Sequence, residues 1–271
     1  MLENPVTQDN LRILQRYGWQ VIEPASGRLA CGDTGKGKLA PVALIRERIW
    51  QEAAFAHDLA GKRILVTAGP TREAIDPVRF LTNHSSGKMG YAIARMARMR
   101  GACVTLVTGP TALEDIPGVE MVKIVSAADL FREVTARAGE QDMIIKAAAV
   151  ADYTPVTTAD QKMKKSDSDL RVELKRTPDI LKYLGEHKRP GQFLCGFSME
   201  TEHVIENSRK KLASKNADMI CANSLRTEGA GFGTDTNVIT LITPETDTEL
   251  PLMSKEAAAH RILDTILGIT G

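Results

Sequence analysis

Apolar residues recur along this chain at two spacings, and the switch between them marks out its elements. Up to residue 57 the pattern predicts a helix over Thr7–Arg16 and a short strand over Trp19–Ile22. A loop rich in turn formers follows from Pro24 to Gly37, then a helix with a continuous apolar stripe from Pro41 to about His57. Asp58-Leu-Ala-Gly-Lys62 reads as a junction. From Arg63 onward, strands and helices alternate. Strands are predicted at Arg63–Thr67, Cys103–Val107, Val122–Val125 and Asp142–Ala149, the last ending in small residues. Helices are predicted at Tyr91–Arg100, stopped by Gly101, and at Ala127–Ala138. The second half reads as helix Pro178–Gly185, strand Phe193–Phe197, helix Val204–Ser214 and strand Met219–Ala222. An antiparallel pair, Asn237–Ile242 with Glu249–Leu252, and a closing helix, Lys255–Leu267, complete it. Alternation of this kind predicts an α/β fold: a mainly parallel, doubly wound sheet with helices on both faces. Ligands of such sheets bind beyond the C-terminal strand ends, where the loops gather.

Composition narrows the class of ligand. The 271 residues, 43% of them hydrophobic, suffice for one full α/β domain plus a smaller appendage. With 35 basic and 34 acidic side chains, the net charge of +1 argues against a duplex nucleic-acid binder. An anionic ligand must then be held by a local cluster of cations. The four cysteines, Cys31, Cys103, Cys195 and Cys221, form no CxxC pair and no zinc or iron–sulfur spacing; the last three sit in apolar runs, as buried thiols do. Met1-Leu-Glu-Asn-Pro5 opens polar, unlike a secretory leader, and no apolar run approaches the ~18–20 residues of a membrane span. The expectation is a soluble cytoplasmic protein without nucleic-acid or membrane partners.

Candidate chemistry gathers at predicted strand ends. Thr67-Ala-Gly-Pro-Thr-Arg-Glu73 follows the first strand, and Gly69 could let the backbone approach an anion, though Gly-Pro is also ordinary turn punctuation. Asn83-His-Ser-Ser-Gly-Lys-Met-Gly90 puts small polar groups and Lys88 at a helix start, where phosphate is favoured; a polar N-cap would look the same. It lacks the spacing of a Walker loop, and no Gly-x-Gly-x-x-Gly or ribose-binding acid supports a dehydrogenase. Ala147-Ala-Ala-Val-Ala-Asp152 leaves room for a flat ring and offers a carboxylate, or else simply packs tightly. The run Lys162–Lys165, placed before a predicted strand Leu170–Leu174, could close over polyphosphate or be a solvated face. Thr177-Pro-Asp-Ile180 starts a helix. Lys211 and Lys215 share a helix face at i and i+4, near an aromatic, Phe197, at a strand end. Together these fit a nucleoside triphosphate site without naming a reaction.

Residues 62–268 resemble the synthetase domain of the bacterial bifunctional phosphopantothenoylcysteine synthetase/decarboxylase. The likeness rests on Thr67–Glu73, Asp76–Phe80, Asn83–Gly90, Ala147–Tyr153, Lys162–Lys165, Pro178–Leu181, Gly196–Thr201 and Lys211–Asp218, all in order. The resemblance implies a Rossmann-like domain over 59–271. It implies a CTP-dependent phosphopantothenate–cysteine ligase of coenzyme A biosynthesis that activates 4'-phosphopantothenate as an acyl-cytidylate and transfers it to L-cysteine. It also implies a homodimer and Mg2+. By resemblance, the nucleotide would be bound by Gly69, Lys146, Ala147, Ala148, Ala149, Asp152, Lys162, Pro178, Asp179, Ile180, Leu181, Phe197, Lys211 and Lys215. Asn83 would hold the acyl-cytidylate for cysteine attack, Arg79 would position the phosphopantothenate side, and Lys162 would serve activation; the metal ligands are not implied. Asn4–Leu11 and Leu29–Lys38 resemble the C-terminal tail of the flavin-dependent decarboxylase domain, making 1–58 a short remnant of a flavodoxin-like domain plus linker. Cys31 would be that domain's proton donor. Its FMN-binding part and catalytic histidine have no counterpart here, so Cys31 is expected to be inert, and higher assembly is expected only with a complete decarboxylase domain. Two rivals remain open: a silent nucleotide-binding module, and the ATP-using eukaryotic type of the same synthetase.

Overall fold

The computed structural model describes residues 2–53, 55–164, 170–200, 202–224, 231 and 233–270. Met1, Lys165 and Thr201, to which the sequence reading extended, lie outside them. Two compact units appear, Met1–Ala56 and His57–Gly271.

In the first unit, helix α1 (Pro5–Arg16) starts at proline, whose missing N–H is no loss there, and Asn4 Oδ1 caps it by accepting from Val6 N at 2.9 Å. The expected strand Trp19–Ile22 is absent. A hairpin, Ala25–Arg28 with Thr34–Lys38, occupies the segment read as loop, because its glycines hid the alternation that betrays a strand. Helix α2 (Val42–Ala53) follows. Among the described residues of this unit only Ala40 is buried.

The second unit is built on an eight-stranded sheet. Its strands are β1 (Arg63–Ala68), β2 (Cys103–Thr108), β3 (Glu120–Lys123), β4 (Met143–Lys146), β5 (Phe193–Glu200), β6 (Met219–Ser224), β7 (Ile239–Ile242) and β8 (Asp247–Glu249). Their spatial order is β3-β2-β1-β4-β5-β6-β7-β8, parallel through β6 and antiparallel for the last two. This is the doubly wound order, with its direction of winding reversing between β1 and β4. Ile64, Leu65 and Val66 are fully buried, as a central parallel strand covered on both faces requires. On one face, helices α4 (Ala127–Ala138), α5 (Ile180–Glu186) and α6 (Val204–Ser214) bury Leu130, Leu181 and Leu212 against Leu65, Ile144, Leu194 and Ile220. Helices α3 (Lys88–Met99) and α7 (Lys255–Thr270) pack on each other, and α3 lies against β1 and β2.

Local sequence sets the ends of these helices. Ser126 and Asp129 form a reciprocal capping box on α4, and buried Glu73 accepts from Ala127 N at 2.9 Å, so three orphan donors are satisfied. Gly90 lets α3 touch the sheet: a Cβ there would fall 2.6 Å from Ala68 Cβ and 2.8 Å from Thr67 O. Two small antiparallel ribbons went unpredicted, Arg72–Ala74 with Phe80–Thr82 and Tyr153–Pro155 with Leu174–Arg176; the strand expected at 170–174 is displaced into the second.

Candidate active site

The site is assembled where the winding reverses. Thr67 at the end of β1 lies in register with Lys146 at the end of β4, and Lys146 with Gly196 of β5. The two loops beyond β1 and β4 are stitched together: Ala149 N donates to Gly69 O at 3.0 Å and Thr71 N to Ala149 O at 3.2 Å. The hydroxyls of Thr67 and Thr71 accept from Ala148 N and Ala151 N, both at 3.0 Å. Thr67 and Thr71 are buried, so the small-residue run after β4 is fixed by hydrogen bonds made away from water. Asn83 Nδ2 donates to Ala149 O at 3.1 Å, drawing the segment before α3 onto that run.

A cavity of about 800 Å³ opens beside these loops. Asn83, Lys146, Ala147, Ala148, Ala149 and Asp152 line one part of it; Pro178, Asp179, Ile180, Leu181, Phe197, Lys211 and Lys215 line another. Polar contacts fix two of its three central cations. Lys215 Nζ stands 2.7 Å from Asp179 Oδ2, and Lys211 Nζ donates to Phe197 O at 2.9 Å. Asp179 is also the N-cap of α5, accepting from Lys182 N at 3.0 Å. Burial alone would raise the Asp179 carboxyl, but the Lys215 hydrogen bond, the Lys182 amide and the charges of Lys215 and Lys146 outweigh it and hold it below its ordinary value. Lys146 feels Asp179 and Asp152 only through charge. Its burial, and then the like charge of Lys211, pull its ammonium down to about 8. Burial and Lys211 thus disfavour the positive charge on Lys146, which a neighbouring anion would favour.

Four candidates, Gly69, Arg79, Lys162 and Cys31, fall outside the cavity wall. The space over Gly69, where φ is +72°, is taken by Thr111 and by Gly109 O, 2.9 and 3.2 Å from a Cβ built there. A side chain at this position would therefore collide with the 109–111 loop, which is why the turn takes glycine. Arg79 pairs with buried Asp76 (Nη2 to Oδ2, 2.5 Å) and donates to Met163 O at 2.8 Å. Asp76 in turn accepts from Met163 N at 3.1 Å, and Ala159 N donates to Ile75 O at 3.0 Å. Together these anchor the segment bearing Lys162, which is exposed. Cys31 stands in the first unit on the turn of the hairpin, exposed, its Sγ 3.7 Å from Asp33 Oδ2.

The sequence reading missed a further part of the wall. Lys88 was noted, but Arg176, Asn223, Gly231, Asn237 and Lys255 also line the cavity. Lys255 is buried and opens α7, a placement that the helix dipole disfavours for a cation; that mismatch was the available signal. Among the described residues no group of three or more His, Cys, Asp or Glu side chains could hold a metal. No helix among them is long and apolar enough to cross a membrane.

Comparison with known proteins bears on what this cavity is for. Residues 59–269 match the family model described as DNA/pantothenate metabolism flavoprotein C-terminal domain. The chain belongs to this family. Residues 1–54 match the Flavoprotein family. The coenzyme A biosynthesis bifunctional protein CoaBC of Bacillus subtilis (strain 168) is 46% identical over 275 residues, a match covering 100% of this chain and 67% of that protein. The chain therefore spans about two thirds of the length of its curated relative. A crystal structure of the C-terminal domain of a CoaBC protein is 48% identical, with a TM-score of 0.67 over 78% of this chain and 96% of the other. A Cab2 variant solved with phosphopantothenate-cysteine has the same fold (16% identity, TM-score 0.66, covering 85% and 94%). Membership of this family places the chain in coenzyme A biosynthesis, as the resemblance implied.

Proposed function

We propose that residues 59–271 form a phosphopantothenate–cysteine ligase that uses CTP. A carboxylate oxygen of 4'-phosphopantothenate attacks the α-phosphorus of the nucleotide, and the bond to pyrophosphate breaks. The amine of L-cysteine then attacks the acyl carbon and CMP leaves, the amine's proton passing to solvent. The first step brings a carboxylate onto a phosphate, so positioning and cationic charge supply the catalysis, and neither step needs a side-chain nucleophile.

The observation that carries this reading is one cavity of about 800 Å³ joining Lys146, Lys211 and Lys215 with a floor of small residues and Asn83. Its size suits a nucleotide together with a second substrate. Lys146, Lys211 and Lys215 receive the phosphates, and Ala147–Ala149, with Asp152 and Phe197, the base and ribose. Asn83 holds the acyl-cytidylate. Lys162 serves the outer phosphates, and Arg79 acts through its anchoring of the segment that bears Lys162. The α3 N-terminus with Lys88 receives the phosphate of 4'-phosphopantothenate. Among the described residues no cluster of carboxylate, histidine or cysteine side chains could hold Mg2+, which would arrive as the counterion of the triphosphate.

The exposed Val78, Phe80, Tyr153, Val156 and Leu174, all on or beside the two small ribbons, support a homodimer formed through this unit. A cytoplasmic setting belongs to the same proposal. Decarboxylation is not proposed for this chain.

Two variants test the roles. Lys162→Gln blocks activation, whereas Asn83→Asp permits pyrophosphate release and stalls cysteine transfer, with acyl-cytidylate accumulating by mass spectrometry. Full turnover in either variant removes the role given to that residue.

A further inference from the structure

We infer that Lys255 is a positioning residue that sets one wall of the cavity for the phosphopantothenate side, an inference that rests on the ligase reading. Its side chain is buried, the residue being 6% exposed. Among the described residues no carboxylate stands within salt-bridge distance of it. Its ammonium is instead spent on the backbone: it donates to Gly231 O at 3.0 Å and to Thr234 O. Lys255 N adds a bond to Asp235 O at 2.9 Å.

These bonds hold a short piece of chain that another lysine grips from the opposite element. Lys88, the first residue of α3, donates to Gly233 O at 3.0 Å and pairs with Asp235 Oδ1 at 2.7 Å. Thr234 Oγ1 donates to Thr236 O at 2.9 Å, and Thr236–Asn237 is bridged to Met253–Ser254, just before α7. Gly231, Asn237, Lys88 and Lys255 all line the cavity.

An ammonium buried without a carboxylate is costly, and a methionine would fill the same stem without that penalty. Two helix N-termini each carry a lysine where the dipole is adverse. Both spend their donors on the same part of the wall, on Gly231, Gly233, Thr234 and Asp235. Lys255 thereby fixes the carbonyls around Asp235, and Asp235 fixes where Lys88 stands when the substrate's phosphate arrives.

The test uses the full chain with Lys255→Met and, separately, Asp235→Asn, which leaves the core untouched. In both, the KM for 4'-phosphopantothenate should rise at least tenfold. The Kd for CTP, measured by calorimetry, should change less than threefold. A purely structural role would move both constants together, and that result overturns the inference. So does an unchanged KM in both variants while the wild type turns over. No pyrophosphate from the wild type with either CTP or ATP would instead overturn the ligase reading, and this inference with it.

Discussion

Raising the pH from 7 to about 9.5 should strip the protein of most of its affinity for a nucleoside triphosphate. The group responsible is Lys146, pulled from the ordinary 10.5 to about 8, first by burial and then by the charge of Lys211, against the opposing pull of Asp179 and Asp152. That drop corresponds to about 3 kcal/mol against the charged form in the free protein. A bound triphosphate reverses the balance, so the proton is held more tightly in the complex. The charged fraction of the free site falls from about nine-tenths at pH 7 to about one-thirtieth at pH 9.5, whereas the bound site stays charged throughout. Linkage then gives the sign: binding takes up a proton above pH 8, and Kd rises about 30-fold across the range. Calorimetry in two buffers of different ionisation heat reads the uptake directly, approaching one proton near pH 9. Lys146→Met should bind more weakly at pH 7 and lose both the uptake and the slope. A Kd constant within about threefold, or the same slope in the Met variant, would refute the reasoning.

Three further outcomes follow from the packing. Gly90→Ala drives a Cβ to 2.8 Å from Thr67 O, a backbone atom that cannot swing away, so about 1–3 kcal/mol of overpacking should exceed the few tenths gained from a stiffer unfolded chain, lowering the melting temperature by several degrees. Asp76→Asn keeps the shape but loosens the Arg79 anchor, and trypsin should cut after Lys162 or Lys164 several-fold faster. In the wild type the Arg79 hydrogen bond holds the Asp76 carboxyl well below the usual carboxylate range, so the anchor is fully present above about pH 4 and is lost only as the pH falls through the depressed value. Phe80→Glu leaves a charge where Arg72 lies 4.6 Å over the ring, a pair the fold tolerates, and should shift sedimentation from dimer to monomer.

What could be read in the sequence follows from what makes a pattern. Buried parallel strands such as Arg63–Ala68 and Met143–Lys146 are apolar runs, and capped helices such as Ala127–Ala138 announce both ends; each was legible. Trp19–Ile22 misled because aromatic and branched residues suit a strand only if something covers them, and Trp19 is exposed. The ribbons at 72–82 and 153–176 are three-residue strands with little burial, too short for alternation to show. In the site, the lysines of α6 were legible from their i, i+4 spacing. Thr67 and Thr71 were not, because a threonine that satisfies a backbone amide 80 residues away leaves no local trace. Arg79 was placed near the substrate by resemblance; of its partners Asp76 is local, three residues away, but Met163 is set by a loop contact that spans 84 residues. Lys255 offered only its adverse place at the start of a helix; its burial, which marks it out, left no trace in the sequence.

The measurement that tests the central claim most directly is pyrophosphate release with 4'-phosphopantothenate, magnesium and either CTP or ATP, with and without L-cysteine. The account predicts release with CTP and, only when cysteine is present, a thiol-bearing product together with CMP. Well-folded protein that binds nucleotide but releases no pyrophosphate with either one would contradict it.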